Sequence, residues 1–556
     1  MTTGKATAVA AMALAAFAIL VRLPILSVPL ERDEGAYAYV AWRMLHGEVP
    51  YRDVFDHKPP GIFVVYAAAI AGLGTSAEAI HLAAAFYNAA TTALVILLAA
   101  RLYGLAAGVL SGLLYAVSST APAYNGNAAN TEFFLVLPML AAVLLMWGAV
   151  SRDRSGGLLF AGGLAAGASM LFKPSAAPVV CFLVLAILVQ RCLLGRRFMV
   201  GMSECGIFVL GALCPMGITL GLFAALGASK DFYEAVVLYN AAYRAEVTLE
   251  GARDMLGYVF RMGVLSQSVF WLFGLVGLAG TLLWRRREDV YASGFVLASA
   301  AGVAMGGWFL PHYLFLMLPA AAVVAGRAAS GIVYNRTITT RPRAARYAAL
   351  GFLAAVMVAV PLGADWEYFF ILSPAQAARM LYRGNPFALS DDIADYLRQH
   401  TSAKEKIFIV GSEPQVLFLA QRRTATRYPY IYPLTQATAT ALERQREAID
   451  SLRTAPPAYI LVAIYDMSIV MRPNAPQEFF EELGPLVTRD YFLEAFVREE
   501  GDETLWAKGR WQVRQAAGLV PAQRSVLIFR KRSPGDTTPD IYPRWTFHFE
   551  GEKPGK

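Results

Sequence analysis

Charge is scarce in this chain. Asp, Glu, Lys and Arg make up 16% of its 556 residues, while 57% are hydrophobic, and the mean hydropathy is +0.45. An ordinary soluble domain carries roughly 25% charge, so a wholly soluble globule is excluded. The scarcity is uneven: most of residues 1–362 is apolar, whereas 363–556 has ordinary soluble composition. That contrast argues for a polytopic membrane domain followed by a soluble one. Cysteine is nearly as rare. Cys181, Cys192, Cys205 and Cys214 all lie in or beside apolar runs, which leaves the tail without a disulfide and the chain without a Cys-x-x-Cys metal spacing. Two further absences matter. No internal repeat is visible, and "VGSEPQ" at 410–415 lacks the glycine pattern of a nucleotide-binding turn.

The net charge of +8 invites a nucleic-acid reading, but the positions of the bases contradict it. Arginines gather in short connections between apolar runs: Arg152 and Arg154, Arg191 with Arg196 and Arg197, Arg285 to Arg287, and Arg327 to Arg346. Basic residues are retained on the cytoplasmic side of membranes, whereas a nucleic-acid groove needs them on one continuous face. The first apolar run, about Ala6 to Leu30, exceeds a signal h-region and ends without a clear small-x-small site, so it reads as a retained first helix.

Apolar runs predict about eleven spans, near 7–29, 80–101, 104–121, 132–150, 157–173, 175–193, 204–226, 264–284, 291–310, 312–327 and 346–363. With the N-terminus cytoplasmic, every arginine cluster stays inside, and the loops 30–79, 118–131 and 227–263 lie outside. The tail from about Ala364 lies outside as well. The expected domains are thus 1–363, transmembrane, with an external catalytic loop at 30–79, and 364–556, extracytoplasmic. Gly61 to Gly74 is apolar but too short to span comfortably, and reads as interfacial or re-entrant.

Within the tail, "SDDIADYLRQH" and "ALERQREAIDSLR" read as helices, and "KIFIVGS", "AYILVAIY" and "SVLIFRK" as strands. Alternation of this kind predicts a small α/β domain. Residues from Ser533 onward read as a poorly ordered end.

Against this background the loop "RDEGAYAYVAWRMLHGEVPYRDVFDHKPPG", Arg32 to Gly61, is dense in ionisable groups. Tyr37, Val40, Ala41, Met44 and Leu45 fall at helical spacing, which predicts an in-plane amphipathic helix beginning at Asp33 and Glu34. Asp33 is either the N-cap of that helix or a functional carboxylate. Pro59 and Pro60 disfavour helix for Lys58 and suit the first positions of a new helix. Lys58 then stands where partial positive charge already favours anions, a natural phosphate site; the alternative is a lysine snorkelling to headgroups. Glu34, Asp56, His57 and His312 are candidate ligands for a divalent metal ion, though no spacing among them is diagnostic.

These residues carry a resemblance. "RDEGAYAYVAWRMLHGEVPYRD" followed by "DHKPPG" resembles the first extracytoplasmic loop of GT-C glycosyltransferases, in particular the protein O-mannosyltransferase, aminoarabinose transferase and Rgt-like group. The resemblance implies the GT-C fold over 1–362 and transfer of a sugar from a polyprenyl-phosphate donor to a hydroxyl acceptor with inversion. It implies Asp33 as catalytic base, Glu34 as its neighbour in the acidic motif, and Lys58 on the donor phosphate. Aminoarabinose transferases carry a Glu before that Lys; His57 stands here instead, with Asp56 before it, which weakens any inherited metal ligation. The implied setting is a bacterial inner membrane, and the acceptor is a glycan, a lipid or a protein.

Other polar positions fall at the same face. Asn125, Asn127, Asn130 and Glu132 crowd one membrane boundary, where a carboxylate is costly unless it faces a cavity or partner. Lys173, Tyr243, His312 and Tyr313, with Tyr37, Asp56, Asn130 and Glu132, are the expected lining of a substrate cavity. Arg244 is a candidate second phosphate contact. For Lys173 and the tyrosines, interfacial anchoring is the competing reading. Two rival functions remain: a flippase of lipid-linked sugars, which would place its charges near the midplane in repeated halves, and a non-catalytic glycan-binding membrane protein.

Overall fold

The computed structural model describes residues 3–150, 156–194, 198–284, 286–334, 342–515 and 524–536. Two compact units emerge. The first comprises Met1–Ser27, Lys58–Ile62 and Glu78–Leu372; the second comprises Val28–His57, Phe63–Ala77 and Ser373–Lys556. The loop assigned above to the transmembrane part is therefore divided, and the chain passes from one unit to the other between His57 and Lys58.

The first unit is helical. Among the described residues six helices are long and apolar enough to cross a membrane: Gly4–Ile25, Ala77–Tyr103, Thr131–Val150, Pro174–Arg191, Phe198–Ala225 and Arg343–Ala364. The helices Leu249–Gly263 and Ser268–Leu283 meet at a bend of 106°, the geometry of a broken span or of a re-entrant loop, and Leu105–Ser118, Gly156–Met170 and Leu318–Val333 are shorter apolar helices. A helix also runs over Arg287–Met305. Helices therefore occupy all of the segments expected to span, although their lengths do not establish eleven crossings. Glycine lets two of them meet backbone to backbone: a side chain at Gly163 or Gly167 would strike the Phe208 or Ala212 carbonyl, the small-residue contact usual between membrane helices.

One boundary differs from expectation. The span expected at 312–327 is a tight helical turn over Pro311–Leu316 followed by a helix over Leu318–Val333. Pro311 and Pro319 are the cause, because proline is accommodated only in the first turn of a helix. His312 and Tyr313 thus lie in the turn before the helix, on a segment introduced by left-handed Gly307 (φ 75) and Phe309 (φ 47).

Of the arginines taken as topological markers, Arg152, Arg154, Arg196, Arg197, Arg285, Arg336 and Arg341 lie outside the described residues. Others make specific bonds inside the first unit. Arg191 Nε donates to Glu204 at 2.9 Å, Arg287 to the Val150 carbonyl at 2.9 Å, and Arg327 to the buried Asp289 at 2.7 Å.

The second unit is built on a five-stranded sheet: β1 Ile407–Val410, β2 Tyr459–Ile464, β3 Tyr491–Glu500, β4 Glu503–Lys508 and β5 Ser525–Lys531. The order is β1-β2-β5-β3-β4. β1 and β2 are parallel, and the other pairs are antiparallel. β1, β2 and β5 are the expected strands; the β3–β4 hairpin is an addition. The expected helices lie at Ser390–His400 and Ala441–Thr454. Of the end beginning at Ser533, residues up to 536 are described, and Asp536 accepts a bond from Arg510; residues 537–556 lie outside the description.

Candidate functional site

The acidic motif opens the helix Arg32–Leu45 in the second unit, but Asp33 is not its N-cap. Glu31 takes that role, its side chain accepting from the Glu34 amide at 3.3 Å. The Glu34 carboxylate in turn accepts from the Glu31 amide at 3.2 Å. This reciprocal pair is a capping box built from two glutamates, and it starts the helix a residue earlier than the pattern suggests. Glu34 is consequently fully buried and occupied by backbone, while Asp33, half-buried, accepts from Tyr37 Oη one turn on at 3.2 Å. Three carboxylates so close together repel. Burial first, then the charges of Asp33 and Glu34, push the Glu31 carboxyl well above the usual range.

Tyr37 is buried, with its ring 5.7 Å from that of Tyr66 and 6.3 Å from that of Phe63. Gly35 sits on the face packed against the helix Pro414–Ala420. A Cβ there would come within 2.5 Å of the Gln415 backbone nitrogen, so only glycine allows this approach. The helix carrying Asp33 is thereby seated directly on the tail's own α/β structure.

Asp56 is buried, and its carboxylate lies 4.0 Å from His57 Nδ1. Tyr430 Oη stands 3.5 Å from the same nitrogen. Among the described residues no group of three or more His, Cys, Asp or Glu side chains is placed to hold a metal ion. Of the candidate ligands, Asp56 and His57 lie together, Glu34 is engaged in the capping box, and His312 belongs to the first unit.

The basic half of the loop belongs to the first unit. Gly61 begins the helix Gly61–Leu73, and its amide donates to the Leu171 carbonyl at 2.9 Å. A Cβ at Gly61 would approach that oxygen to 2.7 Å. This contact ties the Lys-Pro-Pro-Gly segment to the residues just before Lys173. Lys173 is extended (φ −160, ψ 136), as a residue before proline must be, and it pairs with Glu132 at the first turn of the helix Thr131–Val150. Its ammonium also lies 3.5 Å from the centroid of the Tyr313 ring. His312 Nε2 is 4.0 Å from the other Glu132 oxygen, and the charge of Lys58 reaches the same carboxylate. The structure therefore gathers Lys58, Glu132, Lys173, His312 and Tyr313, which were scattered over more than 250 residues of sequence. Asn130 is buried beside them in sequence, at the start of the same helix.

The last two candidates share the helix Asn240–Ala245. Arg244 is exposed on the helix Asn240–Ala245 and enters no ion pair among the described residues. Tyr243 stacks on Trp308 at 4.8 Å.

Arg22 was not singled out by sequence reasoning. At the end of the first helix it is buried, donating to the carbonyls of Ser119 at 3.1 Å and Gly126 at 2.7 Å, with its guanidinium 4.8 Å from the Phe133 ring. It holds the segment that leads into Asn130 and Glu132. A charged residue ending a long apolar run was the available signal, but it reads equally as a simple membrane-edge arginine.

Similarity to solved structures identifies the architecture. The chain superposes on a crystal structure of ArnT from Cupriavidus metallidurans bound to undecaprenyl phosphate with a TM-score of 0.55 at 17% identity, covering 81% of this chain and 92% of that one. Its apo form gives 0.52. The Archaeoglobus fulgidus oligosaccharyltransferase tethered to an acceptor peptide gives 0.50 at 13% identity, covering 90% of this chain and 74% of that one. The fold is that of the GT-C membrane glycosyltransferases. More particularly, residues 57–227 match the family model described as dolichyl-phosphate-mannose-protein mannosyltransferase. No curated protein sequence matches.

Proposed function

We propose that this protein transfers a sugar from a polyprenyl-phosphate donor to a hydroxyl acceptor at the extracytoplasmic face of a bacterial inner membrane, with inversion at the anomeric carbon. The observation that carries this reading is the Lys58–Lys173–His312 group around Glu132. Three potential cations converge on one carboxylate at the ends of apolar helices, where the phosphate of a lipid-borne substrate travels. A flippase would need its charges near the midplane.

In the proposed reaction the acceptor oxygen attacks the anomeric carbon and gives its proton to Asp33. The new oxygen–carbon bond forms as the carbon–oxygen bond to the donor phosphate breaks. The electron pair leaves with the phosphate, whose charge Lys58 neutralises. Lys173 and His312 supply further positive charge, with Arg244 assigned as a second phosphate contact. Glu132 holds the cations together and oriented before substrate arrives. Glu34 fixes the helix start beneath Asp33, and Tyr37, Asn130, Tyr243 and Tyr313 contribute aromatic and amide surface for sugar and acceptor. In the accompanying topology eleven helices cross, with the N-terminus cytoplasmic and the α/β domain outside.

The test is transfer by the purified full-length protein from defined polyprenyl-phosphate sugars to glycan, lipid and peptide acceptors. Product with the opposite anomeric configuration to the donor is expected. A product retaining the donor configuration would exclude the single-displacement mechanism. Movement of intact lipid-linked sugar across proteoliposomes without transfer would favour the flippase.

A further inference from the structure

Arg32 precedes the acidic pair, and the reaction outlined above gives it no role, yet it is among the most heavily bonded side chains of the second unit. Its Nε donates to the Ser412 carbonyl at 3.0 Å. Its Nη2 donates to Asn385 Oδ1 at 2.6 Å and to the Met467 carbonyl at 2.6 Å. The guanidinium lies 4.6 Å from the Tyr432 ring centroid and 5.8 Å from that of Phe387. Tyr432 Oη also donates to the Met467 carbonyl, at 2.7 Å, so one backbone oxygen collects two of the contacts.

The positions of these acceptors in the sheet are informative. Ser412 follows the end of β1 and Met467 the end of β2, the parallel pair. Open α/β sheets characteristically hold their ligands in the crevice beyond the carboxyl ends of parallel strands. Here that place is filled by a side chain of the same protein, and the "GSEP" turn that lacks a nucleotide fingerprint is one of its walls. The guanidinium matches what the site offers: a planar fork for several carbonyl acceptors, with aromatic faces beside it.

We propose that Arg32 is a positioning residue: docked beyond the ends of β1 and β2, it fixes the first turn of the helix Arg32–Leu45 and with it the carboxylate of Asp33. The inference deepens the glycosyltransferase reading and rests on it for the role of Asp33, but not for the docking itself. Gly35 against Gln415 supplies a second contact on the same helix, three residues along. Together they make the α/β domain the mount of the acidic motif.

The experiment compares the full-length wild type with Arg32→Gln, Arg32→Lys and Asp33→Asn, measuring kcat, donor KM and hydrogen exchange over residues 32–45. Misplacing a reacting group by about 1 Å costs on the order of 100-fold. Arg32→Gln should therefore lower kcat by roughly that factor with donor KM unchanged, and Arg32→Lys, which keeps charge but not the fork, should recover about tenfold of it. A wild-type kcat in Arg32→Gln would overturn the proposal, as would a loss confined to KM. If Arg32→Gln does not fold, Arg32→Lys carries the test, with an expected kcat about tenfold below wild type; an unchanged kcat overturns it. If Asp33→Asn turns over like wild type, the catalytic reading fails separately. Exchange then decides the docking: faster exchange across 32–45 in Arg32→Gln, corrected in Arg32→Lys, supports it, and wild-type protection in both overturns it.

Discussion

The two polar clusters of this protein solve the same problem by different means. In the first unit a buried carboxylate, Glu132, is met by side-chain cations, Lys173 and His312, with the charge of Lys58 adding to theirs. In the second unit the charges are met chiefly by backbone. Glu31 and Glu34 cap each other's amides, and Arg32 ends on two carbonyls and an amide oxygen. Charges answered by mobile side chains can be exchanged for a ligand's charge. Charges answered by backbone are locked to the fold. On the proposed reaction, recognition of an incoming anion falls to the first cluster and fixed geometry to the second.

The sharpest way to break this division is at Asp33, the carboxylate that takes no part in the capping box. A positioned base contributes typically 10²–10⁴-fold, so Asp33→Asn is expected to lower kcat about 1,000-fold with little change in thermal stability. Initial-rate measurements on the full-length protein decide it. If the asparagine variant turns over normally, the base lies elsewhere.

A second disruption addresses the Lys173–Glu132 pair. Removing one partner of a buried ion pair costs about 3–5 kcal/mol because the other charge is stranded. Lys173→Met should fall near the lower end, about 3 kcal/mol, since His312 and Lys58 still face Glu132. The double variant Lys173→Met with Glu132→Gln should regain most of that stability but not the activity. Denaturant titration of the two variants in detergent reads the difference. Equal losses in both would mean that the pair is no unit.

Lys58→Ala sharpens the contrast from the ligand side. Loss of one charge-assisted bond, about 1.5–3 kcal/mol, predicts a 10- to 100-fold lower kcat/KM for the donor. Lys58→Arg should restore part of it, because the charge is kept while the geometry changes. A pyrophosphate-linked donor that bypasses the defect would relocate the phosphate contact.

The sequence exposed much of this arrangement, for reasons that differ by residue. Lys58 was legible because two prolines and a glycine leave its backbone few options, and the acidic motif because charge at the end of an apolar run is costly. Glu132, Lys173 and His312 were expected to line one cavity, but the ion pairing among them was not legible, since each alone also reads as an interfacial group and only the packed helices bring the charges into contact. That Glu31 caps the helix was not foreseen, because glutamate is an uncommon cap. The hairpin β3–β4 went unseen because the helix Glu478–Asp490 runs into β3 at Tyr491 without an intervening glycine or proline. β4 lies at the sheet edge, where alternating exposure and charge mask a strand. The division of the loop between His57 and Lys58 leaves no local mark, because it depends on which unit each half packs into.

The smallest expected effect on turnover, and the finest probe of the backbone-held cluster, concerns Glu413. Its carboxyl is buried beneath the turn that receives Arg32 and accepts a bond from Ser468, while Oε2 has no hydrogen-bond partner among the described residues. Burial pushes its pKa up to about 7, against the opposing pull of Ser468 and Arg32. The folded state thus binds this proton more tightly than the unfolded chain does. Stability from this group is fully present below the unfolded value near 4.5 and is lost as pH rises through about 7. The full difference is on the order of 3 kcal/mol. Glu413→Gln, a neutral mimic of the protonated form, should remove that slope and leave the variant more stable than wild type at pH 8, with no such advantage at pH 4.5. Thermal unfolding of the full-length protein at the two pH values measures it. A wild type whose stability rises through the same interval, relative to the variant, would show that Arg32 holds Glu413 ionised, and the cluster would then be an ion pair like the one in the first unit.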